Sequence, residues 1–448
     1  MQDQDFQTFA KLDGRLVSAV KGIRILSSLA WPKRVGVEFL EAYKKGTAKL
    51  PEVPMQIPDF RTARQELMGV IKDCDPTHPL GRYISQTAAS YVIAARMLEG
   101  IGTDVFTRMS EVLYGNPTDR LGSLSNLDLA ENFIEITTDF ASVTDPFGRE
   151  DEQSFPSAAV VALLKERADA FFGPGIVKIE LDPHLAAKAA AGSERVRIRD
   201  HAFFYESEID QLLEHELFVH SATMLNGRRQ PFLKSLGLGA PRTTGTQEGL
   251  ATFAEMITDS MDLTRLRRIA LRIKAIQLAR EGADFIQVFR FFADSGQSLE
   301  ESFQSTARIF RGGDVRGRHV FTKDVVYLKG LVSVHTFFRK AIEHRKIHYP
   351  KMLFMGRMAL GDVISLEPFV GNLSPRDPAA MSFGGEASPC FVQAPEFVPH
   401  WVAKRESLAA YLCYAAFTHQ IDLKSIKLID FVDSSLAEDL EGLDLGGL

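Results

Sequence analysis

Leu212–Ala251 reads LLEHELFVHSATMLNGRRQPFLKSLGLGAPRTTGTQEGLA. Within it, His215, His220 and Glu248 offer two imidazoles and a carboxylate, a set that one metal ion can take together. Glu216 adjoins the first histidine, where a general base is wanted. The spacing carries a structural demand. Histidines four apart lie about 40° from one another around a regular helix, but five apart they lie roughly 140° apart. His215 and His220 are five apart, so an undistorted helix keeps them from sharing a cation. A π-type turn, which accommodates one extra residue, returns them to one face, and the sequence therefore predicts such a turn across Leu217–Val219.

Glu248 follows after a stretch rich in Gly and Pro, with a short helix around Phe232–Leu236. Thr244 and Gln247 have the spacing of a capping box, which would put Glu248 in the first turn of the next helix. Gly249 leaves bare backbone beside it and permits close approach to a neighbouring element. Histidine and glutamate suit a catalytic zinc with one position open to water, and Zn2+ is the expected ion. Glu216 would then take a proton from that water and pass it to the leaving amine. Glu214 or Glu255 would orient a histidine from behind. Other readings use the same residues. Histidines on an apolar helix also serve as hydrogen-bonded core residues, and a first-turn glutamate suits the helix dipole. Two histidines and a carboxylate also hold iron(II), though that chemistry needs no glutamate at 216. A metal-binding regulatory protein would instead have a closed four-ligand site.

Outward from this stretch, the pattern is helical to about Glu135, with Leu16, Val20, Ile23 and Leu26 at helical spacing. Ile176–Leu181 and Arg195–Arg199 alternate as strands do, and an alanine-rich helix is expected between them, Leu185–Ala191. Their edge would let an extended peptide pair beside the metal helix. Ser207 is the expected cap of that helix. Helices are expected again at Asp262–Arg280, Phe285–Phe292, Leu299–Phe310, Lys323–His344 and Ala403–Phe417, with loops over Leu366–Pro399. The fold class is thus α+β and predominantly helical, a zincin-like core with a small sheet wrapped by N- and C-terminal helices. Four regions follow: a helical 1–150, the catalytic core 151–345, a helix-and-loop region 346–430 packed on it, and an acidic tail 431–448 whose composition suggests disorder.

The totals agree with a globular enzyme. The 448 residues are 45% hydrophobic and 25% charged, with a net charge of −6, which disfavours a nucleic-acid partner. Three scattered cysteines suit a reducing compartment, and no signal-like leader or apolar run of membrane-spanning length is apparent, so a cytoplasmic protein with no membrane association is expected.

Several blocks recur together: HELFVH at 215–220, QEGLA at 247–251, RIFRGG at 308–313 and FTKDVVYLKGL at 321–331. With them the chain resembles the QEGLA-motif family, bacterial proteins labelled flavohaemoglobin expression-modulating, whose animal relatives are the microtubule-associated tyrosine carboxypeptidases. The resemblance implies a zinc metallopeptidase in which His215, His220 and Glu248 match the ligands and Glu216 the catalytic acid. A carboxypeptidase must also grip a peptide or protein C-terminus, and a preference for an aromatic or large apolar last residue is expected here. Arg311 and Lys323 are the candidates for its carboxylate. Tyr327, one turn beyond Lys323, is the candidate donor to the oxyanion. The remaining histidines are read as structural, with His335 the one of interest.

Overall fold

Pro79–Glu99 is the most interior helix, and its sequence explains why. Ala88, Ala89, Ala94 and Ala95 keep its surface low, so Arg61–Asp73 and Asp104–Tyr114 pack closely against it. Its buried hydroxyls turn back on its own carbonyls: Thr87 Oγ1 donates to Tyr83 O at 2.7 Å and Ser90 Oγ to Thr87 O at 2.8 Å. His78 caps the start, its Nδ1 accepting from Leu80 N–H, and Pro79 occupies the first turn, where a missing N–H costs nothing. The computed structural model describes residues 3–143, 153–183, 185, 188–370, 392–403 and 426–432, with 436, 440 and 443.

The protein is predominantly helical with small sheets, as the sequence predicts. One large core joins residues from Phe9 through Phe397, Trp401 and Leu440. A second is built of phenylalanines, Phe39, Phe285, Phe289, Phe292, Phe303 and Phe310, from Lys33–Lys44, Phe285–Asp294 and Leu299–Phe310. Asp262, Asp284 and Ser298 start three successive helices by accepting from the N–H of Arg265, Gln287 and Glu301. Leu263–Glu281 lies against Asn126–Val143. Among the described residues no helix is long and apolar enough to cross a membrane.

The sheet that matters to the site has three strands: β1 (Lys178–Asp182), β2 (Ala189–Ala191) and β3 (Arg195–Arg199). Their order is β1-β3-β2, with β1 parallel and β2 antiparallel to β3. Alanines 189–191 therefore form a strand where composition favours a helix. The hydrogen bonds Arg199 N–H to Lys188 O at 2.9 Å and Gly192 N–H to Arg195 O at 2.7 Å close the hairpin, and tertiary pairing overrides a propensity worth only tenths of a kcal/mol per residue. Small side chains suit β2, which is an edge strand packed on the histidine helix.

Two expected caps also differ. The histidine helix begins at Glu206 after Tyr205, whose N–H donates to Glu208 Oε2 at 3.0 Å, so Ser207 lies inside the first turn. Thr244 opens the next helix without a side-chain cap, because Gln247 is engaged elsewhere. The helix expected around Phe232–Leu236 is a single 3-10 turn, Lys234–Gly237, and that expected over Lys323–His344 begins two residues later, Val325–Glu343. Most of Ala403–Phe417, and 371–391 within the expected loop region, lie outside the described residues. Of the acidic tail, Leu440 is buried in the large core.

Candidate functional site

The histidine helix runs through three segments, Glu206–Leu212, a π-helix over Leu213–Ser221, and Ala222–Arg229. The expected distortion is present and longer than three residues. Ser221 Oγ lies 3.0 Å from Glu216 O and 2.9 Å from Gly192 O, so the widened turn is tied to the strand that borders it. His215 and His220 consequently face each other edge to face, ring centroids 4.7 Å apart, both buried.

Glu248 reaches them from the helix Thr244–Ile257. Its Oε2 lies 3.5 Å from His215 Nε2 and 3.7 Å from His220 Nε2. One ligand atom from each of the three falls within 4.8 Å of the others. Two donors on one tetrahedral cation at ~2.1 Å stand roughly 3.4 Å apart, close to the two carboxylate–imidazole distances, so the three residues could hold an ion. The donor chemistry agrees. His215 Nδ1 is committed to Glu255 Oε1 at 2.5 Å, which leaves Nε2 facing the other two groups. Glu255, fully buried, is held in turn by a two-point bond from Arg265, at 2.8 Å for each oxygen, and by Gln211 at 3.1 Å.

The QEGLA residues each have a physical task. Gln247 Oε1 accepts from Thr223 Oγ1 at 2.8 Å, which pins the glutamate helix to the histidine helix. Gly249 lies against Gly330 of Val325–Glu343, where a Cβ would come within 2.2 Å of backbone carbon. Leu250 and Ala251 are fully buried. Ahead of this helix, Arg242 grips Asp362 with both guanidinium nitrogens and reaches Gln86 at 3.1 Å, anchoring the approach to Glu248 in the central helix.

Electrostatics keep Glu248 a carboxylate beside the two imidazoles. Burial would raise the Glu248 pKa, but Lys323 and the two histidines bring it well below the usual carboxylate range. Lys323 Nζ donates to Glu248 Oε1 at 2.9 Å and is itself buried. The lysine expected to meet a substrate carboxylate is thus bonded to the third candidate ligand, Glu248, because 75 residues of chain fold to bring the two together. Burial opposes charge on His215, but its bonds to Glu248 and Glu255 win and raise its pKa to about 10. His220, whose largest influence is burial, is lowered. Burial likewise opposes the Glu255 carboxylate, and Arg265 and His215 lower it to about 2.

Glu216 sits at the border of the π-helix with the sheet. Its Oε2 accepts from Ala191 N–H of β2 at 3.0 Å, and Oε1 has no hydrogen-bond partner among the described residues. Tyr327 shares a face with Lys323, as one-turn spacing predicts, with Nζ 5.3 Å from its ring centre. Its hydroxyl lies 3.3 Å from the Arg308 guanidinium, a partner the sequence does not reveal. Arg308 in turn clamps Asp324 at 2.6 and 2.7 Å. Arg311 lies over the Phe321 ring at 5.2 Å, its Nε buried without a hydrogen bond, and burial beside Arg308 lowers its pKa to about 10. His335 is buried against Phe253, apart from the ligand group.

The site therefore gathers His215, His220, Glu248 and Glu216, backs them with Glu255 and Lys323, and sets three groups that could hold a metal ion beside a carboxylate fixed on a strand edge. No curated protein matches the chain. A family model described as microtubule-associated tyrosine carboxypeptidase matches residues 38–382, most of the length, and the chain belongs to that family.

Proposed function

We propose that the protein is a zinc-dependent carboxypeptidase that removes the last residue of a peptide or protein, with a zincin-like arrangement of edge strand and ligand helix. The observation that carries this reading is the convergence of His215, His220 and Glu248 next to a glutamate held on β2. His215, His220 and Glu248 would hold the ion, which supplies Lewis acidity to the scissile carbonyl and to the water that attacks it.

The protein's own groups do the rest. The Ala191 N–H fixes one oxygen of Glu216, so its other oxygen is aimed by the backbone instead of by a flexible side chain. That oxygen takes a proton from the water as the new C–O bond forms. It returns the proton to the amide nitrogen as the C–N bond breaks. Glu255 holds the His215 ring in one tautomer, and Lys323 keeps the second Glu248 oxygen occupied, making Lys323 a positioning residue. The outer row of β2 offers backbone groups to which an extended substrate can pair. Arg311, half-buried and with no ion pair among the described residues, suits a terminal carboxylate, and Phe321 and Tyr114 beside it suit an aromatic or large apolar last side chain, in keeping with the family description.

The test is to incubate the zinc-loaded protein with a peptide library and follow C-terminal trimming by mass spectrometry. Glu216→Gln should lower turnover by about 10³-fold or more while retaining zinc, since it removes the proton carrier and no ligand. Undiminished trimming by that variant would end the proposal.

A further inference from the structure

A cleft of about 340 Å³ opens where the loop between Arg311 and Lys323 meets the helices Asp104–Tyr114 and Leu263–Glu281. That size falls within the range of small-molecule pockets, about 300–1,000 Å³. None of His215, Glu216, His220 and Glu248 lines it, so it is separate from the candidate metal centre.

Most of the charge around the cleft is already paired. Glu111 Oε1 lies 2.6 Å from Arg280 Nη2, Asp104 Oδ2 lies 3.2 Å from Arg108 Nη2, and Gln277 Nε2 donates to Glu281 Oε1 at 2.7 Å. Arg318 is the exception. Its guanidinium has no ion pair or hydrogen bond among the described residues, and neither has the neighbouring His319 ring. Arg318 also has φ +72°, a left-handed conformation that suits glycine or asparagine and strains a longer side chain. Three contacts impose it. Arg318 N–H donates to Ala279 O at 2.7 Å, and Val320 N–H donates to Thr107 Oγ1 at 2.8 Å. Between the helix end and the loop, Gly317 is so close that a Cβ would stand 2.7 Å from Ala283 O. The outcome sets Arg318 Nε over Gly282, 3.8 Å from where a Cβ there would stand. A merely solvated arginine needs no such placement, and strain of this kind collects where a side chain is held for a ligand.

The cleft also offers an acceptor. Gln277 Oε1 is buried with no hydrogen bond, and its amide turns on a soft terminal torsion that can bring the oxygen to an occupant. Glu111 is half-buried, and burial raises its pKa despite Arg280. An anion alone would be repelled by Glu111 and Glu281, and a cation alone by Arg280 and Arg318. A ligand with both charges a few ångströms apart meets both demands.

We infer that the cleft binds a free α-amino acid, its carboxylate on the Arg318 guanidinium and its ammonium on Gln277 Oε1 and the Glu111 carboxylate. His319 adds a second donor at the carboxylate end. On the carboxypeptidase reading such a molecule is what the reaction releases, and the loop that carries Arg318 begins at Arg311 and ends at Lys323. Binding itself does not rest on that reading.

The experiment is calorimetry on the full chain with the common L-amino acids, then with the N-acetyl and decarboxylated forms of the one that binds best. That amino acid should have a Kd of about 1 mM or tighter, and each altered form should bind about tenfold or more weakly. Arg318→Asn supplies a residue that tolerates the left-handed backbone and should weaken binding about tenfold or more, as should Gln277→Leu. Arg311→Gln should leave the affinity unchanged. Melting temperatures establish that each variant is folded, and Gln277→Leu decides if Arg318→Asn is not. Absence of binding by every amino acid at about 10 mM overturns the inference, as does an affinity kept by the folded cleft variants. An affinity lost only in Arg311→Gln would put the amino acid at the candidate metal centre and overturn it equally. A protein that trims no peptide would overturn the carboxypeptidase reading alone, since the calorimetry needs no turnover.

Discussion

Replacing Gly249 by alanine tests whether the close crossing of two helices sets the third ligand. A Cβ there would stand 2.2 Å from Gly330 C and 2.3 Å from Gly330 O, whereas ordinary contact begins near 3.4 Å. Both obstacles are backbone, so no side chain can swing aside, and the helices Thr244–Ile257 and Val325–Glu343 must separate by about 1 Å. The same movement draws Glu248 away from Lys323, whose 2.9 Å bond would lengthen toward 4 Å, and shifts Oε2 relative to both histidines. In an open helix Gly→Ala stabilises by about 1 kcal/mol, so the sign of the effect decides the argument. Overpacking of this kind costs about 1–3 kcal/mol, and Gly249→Ala should be destabilised overall with zinc affinity reduced about tenfold or more. Gly245 is the internal control, since it lies on the same helix with nothing within 4 Å of its would-be Cβ, and Gly245→Ala should be neutral or stabilising with zinc affinity intact. Urea unfolding and zinc competition against a chelator measure both. If Gly249→Ala matches Gly245→Ala in stability and affinity, the helix crossing does not hold the ligand.

Glu255→Gln keeps the shape behind His215 but weakens the bond that fixes its ring and leaves Arg265 without its carboxylate; zinc affinity should drop about 10–100-fold, and an unchanged chelator titration would refute the role. Asp324 is the shared partner of Arg308 and Arg272, with Arg311 nearby, so Asp324→Asn should cost about 3–5 kcal/mol in urea unfolding; a loss below about 1 kcal/mol would show that the cations repack. Asp13 is fully buried on Ser235, and burial raises its pKa from 3.8 to about 6 despite the Ser235 hydrogen bonds. The folded state therefore holds this proton longer than the unfolded state, so the contribution of Asp13 to stability falls as pH rises from about 4 to 6. The stability of wild type relative to Asp13→Asn should accordingly be lower at pH 8 than at pH 5 by roughly 1 kcal/mol, and parallel stability curves for the two proteins would refute it.

Much of the centre is legible in the sequence because it is local. His215, Glu216 and His220 lie on one helix, and a five-residue interval has a definite angular consequence that only a widened turn can remedy. Glu248 is legible through its block, and Glu255 through being two helical turns beyond it. What could not be read is set by pairings over long intervals. Lys323 is bonded to a ligand, Arg308 takes the Tyr327 hydroxyl, and Arg242 finds Asp362, none of which leaves a local pattern. The alanine strand was misleading for a related reason: Ala189–Ala191 has no intrinsic reason to extend, and its conformation is decided by β3 and by the glutamate that takes the Ala191 N–H.

The π-helix has an effect beyond aligning two rings. Each residue of a regular helix advances the side-chain direction by about 100°, so removing one from Leu213–Ser221 would restore a four-residue histidine interval and turn everything after it by that amount. Thr223 would then leave Gln247, and Asn226, whose amide nitrogen donates to Phe354 O and Phe397 O, would leave both carbonyls. The extra residue thus sets the angular phase of the whole downstream half of the helix. A conventional interval would suit the metal and misdirect the contacts that bind this helix to its neighbours.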